Sequence, residues 1–107
     1  MKHEATVSAT GNTYLCDIVK PQKADNWLAT VIATGTFGGT TLTFGVSVDG
    51  GSTVTPYSAS TYTLSAVGAF SFTPFGDSSA NSNPLQLYAI ATGGSGINIG
   101  VTVLDNR

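Results

Sequence analysis

Residues 41–53 read Thr-Leu-Thr-Phe-Gly-Val-Ser-Val-Asp-Gly-Gly-Ser-Thr, a strand pattern that runs directly into a turn pattern. The first half alternates apolar residues with small or polar ones, as a half-buried antiparallel strand does. Four apolar side chains are thereby predicted on one face: Leu42, Phe44, Val46 and Val48. Asp and Gly residues then favour a tight turn. The stretch therefore predicts a strand that ends in a structural hairpin built on Asp49, Gly50 and Gly51.

The same alternation recurs elsewhere in the chain, and no window has the i, i+3, i+4, i+7 spacing of a helix. It predicts inward-facing rows made of Ile97, Ile99, Val101 and Val103 and, more briefly, of Phe70 and Phe72. Segments 26–34 and 85–91 are apolar on both faces, as expected of central strands or of an edge that a partner covers. We favour a partner for one of them. Turns at intervals of about 8 to 12 residues then predict an all-β, antiparallel β-sandwich, of jelly-roll type, with about seven or eight short strands.

The chain has 107 residues, the size of one domain, so residues 1–107 are expected to form a single β-sandwich. Residues 13–19 have a strand pattern. Residues 1–12 are less regular and are expected to be an extended N-terminal arm that orders against another chain. Segment 75–84 is rich in Gly, Asp, Ser and Asn, which predicts an exposed loop that either binds a partner or only connects two strands.

Charged residues make up 9% of the chain, against about 25% in an average soluble protein. With four Lys and Arg residues and a formal net charge of −2, the chain has no basic patch for phosphates, so no nucleic-acid partner is expected. No apolar run approaches the roughly 20 residues of a membrane span, so no membrane association is expected either. The start of the chain lacks the apolar core of a signal peptide, and synthesis in a reducing cytoplasm is predicted.

Few residues could carry catalysis or bind a metal. His3 is the only histidine and lies in the expected arm, and Cys16 is the only cysteine and lies in a strand pattern. A Cys16–His3 pair is conceivable, because a nucleophile needs a neighbouring base, but a small buried side chain is the preferred interpretation of Cys16. Ligand count excludes zinc, and calcium would need Asp49, Asp77 and nearby Asn residues. We therefore predict no enzyme, no catalytic or metal-binding residue and no cofactor.

The turn after residue 46 also resembles the Asp-box of sialidase-type propellers, written Ser-x-Asp-x-Gly-x-Thr-Trp. Four positions match, Ser47, Asp49, Gly51 and Thr53, and Val54 stands where the aromatic residue should be. A propeller needs at least four blades of about 40 residues, and no second copy of the box is present. The match therefore predicts a local hairpin in which Asp49 caps backbone N–H groups.

A longer pattern runs from residue 27 to residue 104. It consists of Ala-Thr-Gly-Thr-Phe-Gly-Gly-Thr-Thr at 33–41, the strand and hairpin at 42–53, Gly-Ala-Phe-Ser-Phe at 68–72, Leu-Gln-Leu-Tyr-Ala-Ile-Ala-Thr-Gly-Gly at 85–94 and Ile-Asn-Ile-Gly-Val at 97–101. In order and spacing it resembles small β-sandwich virion proteins of tailed bacteriophages, namely capsid decoration (cement) proteins and related head or tail accessory proteins. The resemblance implies a structural role with no catalytic residues to transfer.

The expected function is therefore that of a non-enzymatic decoration protein on the capsid surface of the virion, bound to the major capsid protein. A homo-oligomer is expected, and a trimer is favoured because lattice points with local threefold symmetry recruit trimers. Two alternatives stay open. One is a structural component of the tail, baseplate or fibre. The other is a carbohydrate-binding module that stacks sugars on aromatic side chains, with Trp27, Tyr57, Tyr62 and Tyr88 as candidates.

Overall fold

The computed structural model describes residues 1–18, 28–57, 62–72 and 85–106. Within these ranges the chain forms nine β-strands and no helix, so the predicted all-β class is confirmed. The strands are β1 (Lys2–Val7), β2 (Gly11–Ile18), β3 (Ala29–Thr36), β4 (Thr41–Ser47), β5 (Thr55–Pro56), β6 (Thr63–Leu64), β7 (Gly68–Phe72), β8 (Leu85–Thr92) and β9 (Asn98–Asp105). The described residues contain no helix long and apolar enough to cross a membrane.

The strands form two antiparallel sheets that pack face to face, which confirms the predicted β-sandwich. Sheet A has the order β1-β9-β3-β7, and sheet B has the order β2-β8-β4-β5. Strands β5 and β6 both pair with the same edge of β4. At the position on β4 between these two pairings, the N–H of Tyr57 donates to the carbonyl of Phe44 at 3.0 Å. Since β5 and β6 are two short pieces along one edge, the described strands number nine rather than seven or eight.

The core lies between the two sheets and consists of the inward-facing row of each strand. Its fully buried members include Leu42 and Phe44 from sheet B, and Ile99, Val101 and Val103 from sheet A. The alternation in the sequence therefore predicted these rows correctly, because side chains of a strand that covers a core on one face repeat every two residues.

Two residues of the opening stretch differ from that prediction. Val46 is only partly buried at the rim of the core, and Val48 is 65% exposed. The reason is that β4 ends at Ser47, so the alternation of faces does not continue into the turn.

The expected N-terminal arm over residues 1–12 is corrected by the structure. Residues 2–7 form β1, which pairs with β9 in continuous register from Lys2↔Leu104 to Val7↔Ile99, and β2 begins at residue 11. At one end of this pair His3 Nε2 lies 3.0 Å from the buried Asp105 carboxylate. At the other end Val7 is completely buried. The strand pattern of residues 2–7 was missed because the inward row of β1 contains a histidine and an alanine, so the sequence shows no alternation of large apolar residues.

One of the two segments that are apolar on both faces was expected to be an edge strand that a partner covers, and the strand order corrects the edge position. Segment 26–34 contributes β3, which has β9 and β7 on its two sides, and segment 85–91 contributes β8, which has β2 and β4. Neither strand is at an edge. Both are central strands, and their outward-facing Ile32 and Ile90 are half-buried beside neighbouring side chains.

The turns β3–β4 and β8–β9, which both cross between the sheets, lock together at one end of the sandwich. The N–H of Ser95 donates to the carbonyl of Gly38 at 2.9 Å, and the hydroxyl of Thr40 donates to the carbonyl of Thr92 at 3.1 Å. A side chain at Gly94 would lie 2.5 Å from the backbone nitrogen of Thr40. Glycine is therefore required here because the two backbones touch.

Gly38 and Gly96 provide a matched test of this contact, since their φ angles are 61° and 65°. A methyl group at position 96 would meet nothing within 4 Å, whereas one at position 38 would overlap the carbonyl oxygen of Ser95. We expect Gly96→Ala to lower the free energy of unfolding by about 1 kcal/mol, the cost of a left-handed alanine. Gly38→Ala is expected to cost roughly 2 to 4 kcal/mol. Urea unfolding measures both, and equal losses would contradict an interlocked contact.

Candidate functional site and interaction surfaces

The corner formed by residues 47–53 is held by side-chain hydrogen bonds to its own backbone. The hydroxyl of Ser47 donates to Asp49 Oδ1 at 2.7 Å and accepts the N–H of Gly51 at 2.9 Å. Asp49 Oδ1 also accepts the N–H of Thr53 at 2.9 Å. With the N–H of Asp49, which donates to the Ser47 hydroxyl at 3.3 Å, Ser47 and Asp49 thus satisfy three backbone donors that a bare turn would leave without protein partners.

The corner is longer than a two-residue hairpin turn. The register Val46↔Thr55 between β4 and β5 leaves residues 47–54 as the connection. Gly50 and Gly51 have φ angles of 74° and 96°, which a residue with a side chain rarely adopts. The corner also folds back over the outer face of sheet B, where Gly51 lies against the phenol ring of Tyr88 on β8.

The chemistry of the corner is that of a structural element. The N–H of Thr53 and the hydroxyl of Ser47 stabilise the charged form of Asp49 and hold the pKa of its carboxyl below the ordinary value of 3.8. The Oδ1 atom is engaged by these two donors. No group of three His, Cys, Asp or Glu side chains among the described residues could hold a metal ion, and Asp77 lies outside them.

Substitutions at Asp49 test whether its role is to accept hydrogen bonds. Asn keeps an Oδ1 acceptor for both donors, so Asp49→Asn should lower the melting temperature less than Asp49→Ala does. Because the folded-state pKa is depressed, the charge contributes stability above pH 3.8, and this contribution is lost as the pH falls through the lowered pKa. The advantage of the wild type over Asp49→Asn should therefore be present at pH 6 and absent at strongly acidic pH. Stabilisation of the wild type alone by calcium would contradict this interpretation.

The contact between Gly51 and Tyr88 predicts a coupled pair of substitutions. A methyl group at position 51 would overlap the Tyr88 hydroxyl, whereas one at Gly50 would meet nothing within 4 Å. Gly51→Ala is thus expected to be more destabilising than Gly50→Ala. Removing the hydroxyl with Tyr88→Phe should recover part of the loss, by roughly 0.5 to 1.5 kcal/mol of coupling in a double-mutant cycle. Strictly additive effects in urea unfolding would show that the corner does not rest on Tyr88.

No hydrogen bond joins Cys16 and His3, although both interact with the Asp105 carboxylate. Cys16 is 2% exposed, which confirms the prediction of a small buried side chain in a strand. Burial, with added repulsion from Asp105 and Asp17, raises the pKa of its thiol to about 12, so the thiolate is scarce at neutral pH. His3 instead contacts the Asp105 carboxylate.

The aromatic residues suggested for sugar stacking that lie in the described ranges are buried or half-buried. The rings of Tyr57 and Tyr62 lie 4.9 Å apart against the core, and Tyr88 is 8% exposed. Trp27 and segment 75–84 lie outside the described residues.

Tyr14 is an exposed aromatic side chain that sequence reasoning missed. It is 46% exposed, its hydroxyl donates to Asp17 Oδ1 at 2.8 Å, and its ring meets Tyr88 edge to face at 5.7 Å. A strict period of two would place Tyr14 on the same face as the buried Cys16. A β-bulge between these two residues shifts the register, so Tyr14 points outward while Cys16 is buried. The sequence carries no clear signal for this bulge.

The outer face of sheet A carries a row of short hydroxyl side chains on its four strands. We call it the hydroxyl face, after its exposed or half-buried members Thr6, Thr30, Thr34, Ser71 and Thr102. The hydroxyls of Thr30 and Ser71 are 2.8 Å apart across β3 and β7.

Two shallow grooves mark the hydroxyl face. The first lies over Gly100, between Thr6 and Thr34. The second lies between Leu104 and Ser71 and is closed at one end by Leu28. Leu28 and Leu104 are 51% and 42% exposed, so apolar contact is available beside the hydroxyls.

Comparison with known proteins gives no relative from which to transfer a function. A search of family models, of curated proteins and of solved structures found no match. The corner and the hydroxyl face are therefore the features from which a function can be inferred.

Proposed function

We propose that this chain is a non-enzymatic structural protein of a tailed-phage virion, which binds the outside of the head and stabilises the lattice of the major capsid protein. The hydroxyl face is the observation that carries the proposal. It offers area, hydrogen-bonding groups and shallow grooves, which suit attachment to another protein surface. Repetition over many lattice positions multiplies the effect of each contact.

The charge distribution supports attachment through this face. Its charged side chains, Lys2 and Glu4, lie at the β1 edge and pair with each other at 3.0 Å. The rest of the face is made of neutral residues. Neutral hydroxyls can be covered by a partner at a lower desolvation cost than unpaired charges.

The strand pairing supports the finer interpretation of the sandwich as a jelly roll. The first strand pairs with the last, β2 pairs with β8, β3 with β7, and β4 with β5 and β6. This is the pairing of one long antiparallel hairpin that has been rolled into two sheets, as in the double-sheet jelly rolls of viral capsid proteins. Since residues 2–7 belong to this roll, we assign attachment to a folded face and not to a free arm.

A binding experiment with capsids tests the proposal. Expanded capsids that lack this protein are mixed with the purified chain, then sedimented and melted. We expect co-sedimentation and a higher melting temperature of the capsid. Neither binding nor stabilisation would overturn the proposal.

A matched pair of variants tests the face. Thr34→Arg places a bulky charge beside the groove over Gly100, and Asn12→Arg places the same charge on an exposed position of β2. Thr34→Arg should weaken capsid binding at least about tenfold, which corresponds to about 1.4 kcal/mol, and Asn12→Arg should leave it unchanged. Equal effects of the two variants would exclude the hydroxyl face as the contact.

The two alternative functions predict different observations. A tail, baseplate or fibre component would be labelled on the tail in electron micrographs and be present in few copies per virion. A carbohydrate-binding module would bind a glycan array and lose that binding on substitution of exposed aromatic residues. The packing of Tyr57 and Tyr62 against the core and the 8% exposure of Tyr88 do not favour the second alternative.

A further inference from the structure

The described part of the sandwich has four sheet edges, and three of them carry features that hinder pairing with another strand. β1 carries the exposed charges of Lys2 and Glu4. β2 is interrupted by the bulge between Tyr14 and Cys16. The edge formed by β5 and β6 consists of two strands of two residues each, and β5 contains Pro56. Charges, bulges, proline and short length are the means by which sheet edges avoid further strands.

The fourth edge, β7, has none of these features. Its five residues, Gly-Ala-Phe-Ser-Phe, are uncharged and contain no proline. It pairs with β3 in unbroken register from Ala29↔Phe72 to Ala33↔Gly68. No strand among the described residues pairs with its other side. Alternate N–H and C=O groups of β7 therefore point away from the sheet, as a template for one more strand.

The outward-facing side chains of β7 itself are small. The outward-facing Ala69 and Ser71 are small and exposed. Val67, one residue before the strand, is 62% exposed and provides apolar area beside it. An approaching strand would thus meet neither a bulky side chain nor a charge on the outer face of β7.

We propose that β7 is an interface between two copies of this chain, in which β7 pairs antiparallel with β7 about a twofold axis. A twofold axis perpendicular to the sheet relates two copies of one strand in antiparallel orientation, so that both copies make the same contacts. Centred on Phe70, the register places Ala69 opposite Ser71 and Gly68 opposite Phe72, so a small residue faces every larger or polar one off the axis. The neutral strand brings no like charges together.

The pairing joins the two copies of sheet A into one eight-stranded sheet. Five residues bury less than the about 1,600 Å² of a standard interface, so dissociation in the micromolar range is expected. The symmetry gives dimers and not the trimer favoured from the sequence. The hydroxyl faces of the two copies become continuous, but the pairing itself does not depend on capsid binding.

Sedimentation velocity of the purified chain over roughly 5 to 200 µM tests the proposal. The mass should rise with concentration towards twice the 10.9 kDa of one chain. A chain that stays monomeric at the highest concentration, or that converges on a trimer, would overturn the twofold pairing.

Two double variants test the register of the β7–β7 pairing, and they differ only in the sign of the charge introduced at residue 71. Ala69→Lys with Ser71→Lys places like charges opposite each other in both outer pairs, and Ala69→Lys with Ser71→Glu places opposite charges there. Both lose the hydrogen bond between Ser71 and Thr30, so their monomers are disturbed alike. The first should be monomeric throughout, and the second should dimerise at least as well as the wild type. Equal association of the two would refute this register.

A cross-linking experiment covers the case in which these variants fold poorly. Copies with Ala69→Cys are mixed with copies with Ser71→Cys, since opposite residues of an antiparallel pair have Cα atoms about 4.5 to 5.5 Å apart, within disulfide range. Mild oxidation should link the two kinds of copy. Copies with Thr6→Cys on the β1 edge serve as the control and should stay unlinked. Equal cross-linking in both experiments would exclude β7 as the interface.

Discussion

The backbone contact between the β3–β4 and β8–β9 turns is the constraint on which the rest of the sandwich depends. Each turn carries the chain between the sheets, and the bond from Ser95 to Gly38 fixes the two crossings against each other. The four strands that leave these turns are the central strands of both sheets. One local contact thus sets the relative position of the two rows that form the core. Glycine permits it, because a Cβ atom at Gly38 or Gly94 would occupy the space of the opposite backbone.

Polar side chains in this molecule mostly satisfy backbone groups or each other. Ser47 and Asp49 accept backbone N–H groups of the corner at residues 47–53, and the hydroxyl of Thr40 donates to the carbonyl of Thr92. The buried carboxylate of Asp105 contacts His3 Nε2. Asp49 and Asp105 thus both make hydrogen-bonded contacts within the fold.

The hydroxyl face and the β7 edge differ in what they can bind. The hydroxyl face presents short neutral side chains and two grooves, which suits a second protein surface. The β7 edge has no described strand on its outer side, which suits the addition of a strand. A face binds through area and an edge binds through backbone hydrogen bonds, so the two surfaces can be occupied at the same time.

The sequence by itself determined the fold class, the inward rows of β4 and β9, the burial of Cys16 and the local nature of the turn at residues 47–53. It could do so because strand periodicity and turn chemistry are local properties that neighbouring residues encode. It did not determine that residues 2–7 form a strand, that the bulge turns Tyr14 outward, or that Val48 leaves the core. Those outcomes depend on pairing between residues far apart in the chain, as between β1 and β9, and on where a ladder of hydrogen bonds ends. The tertiary structure alone also decided which strands are edges, because strand order arises from long-range pairing that periodicity does not record.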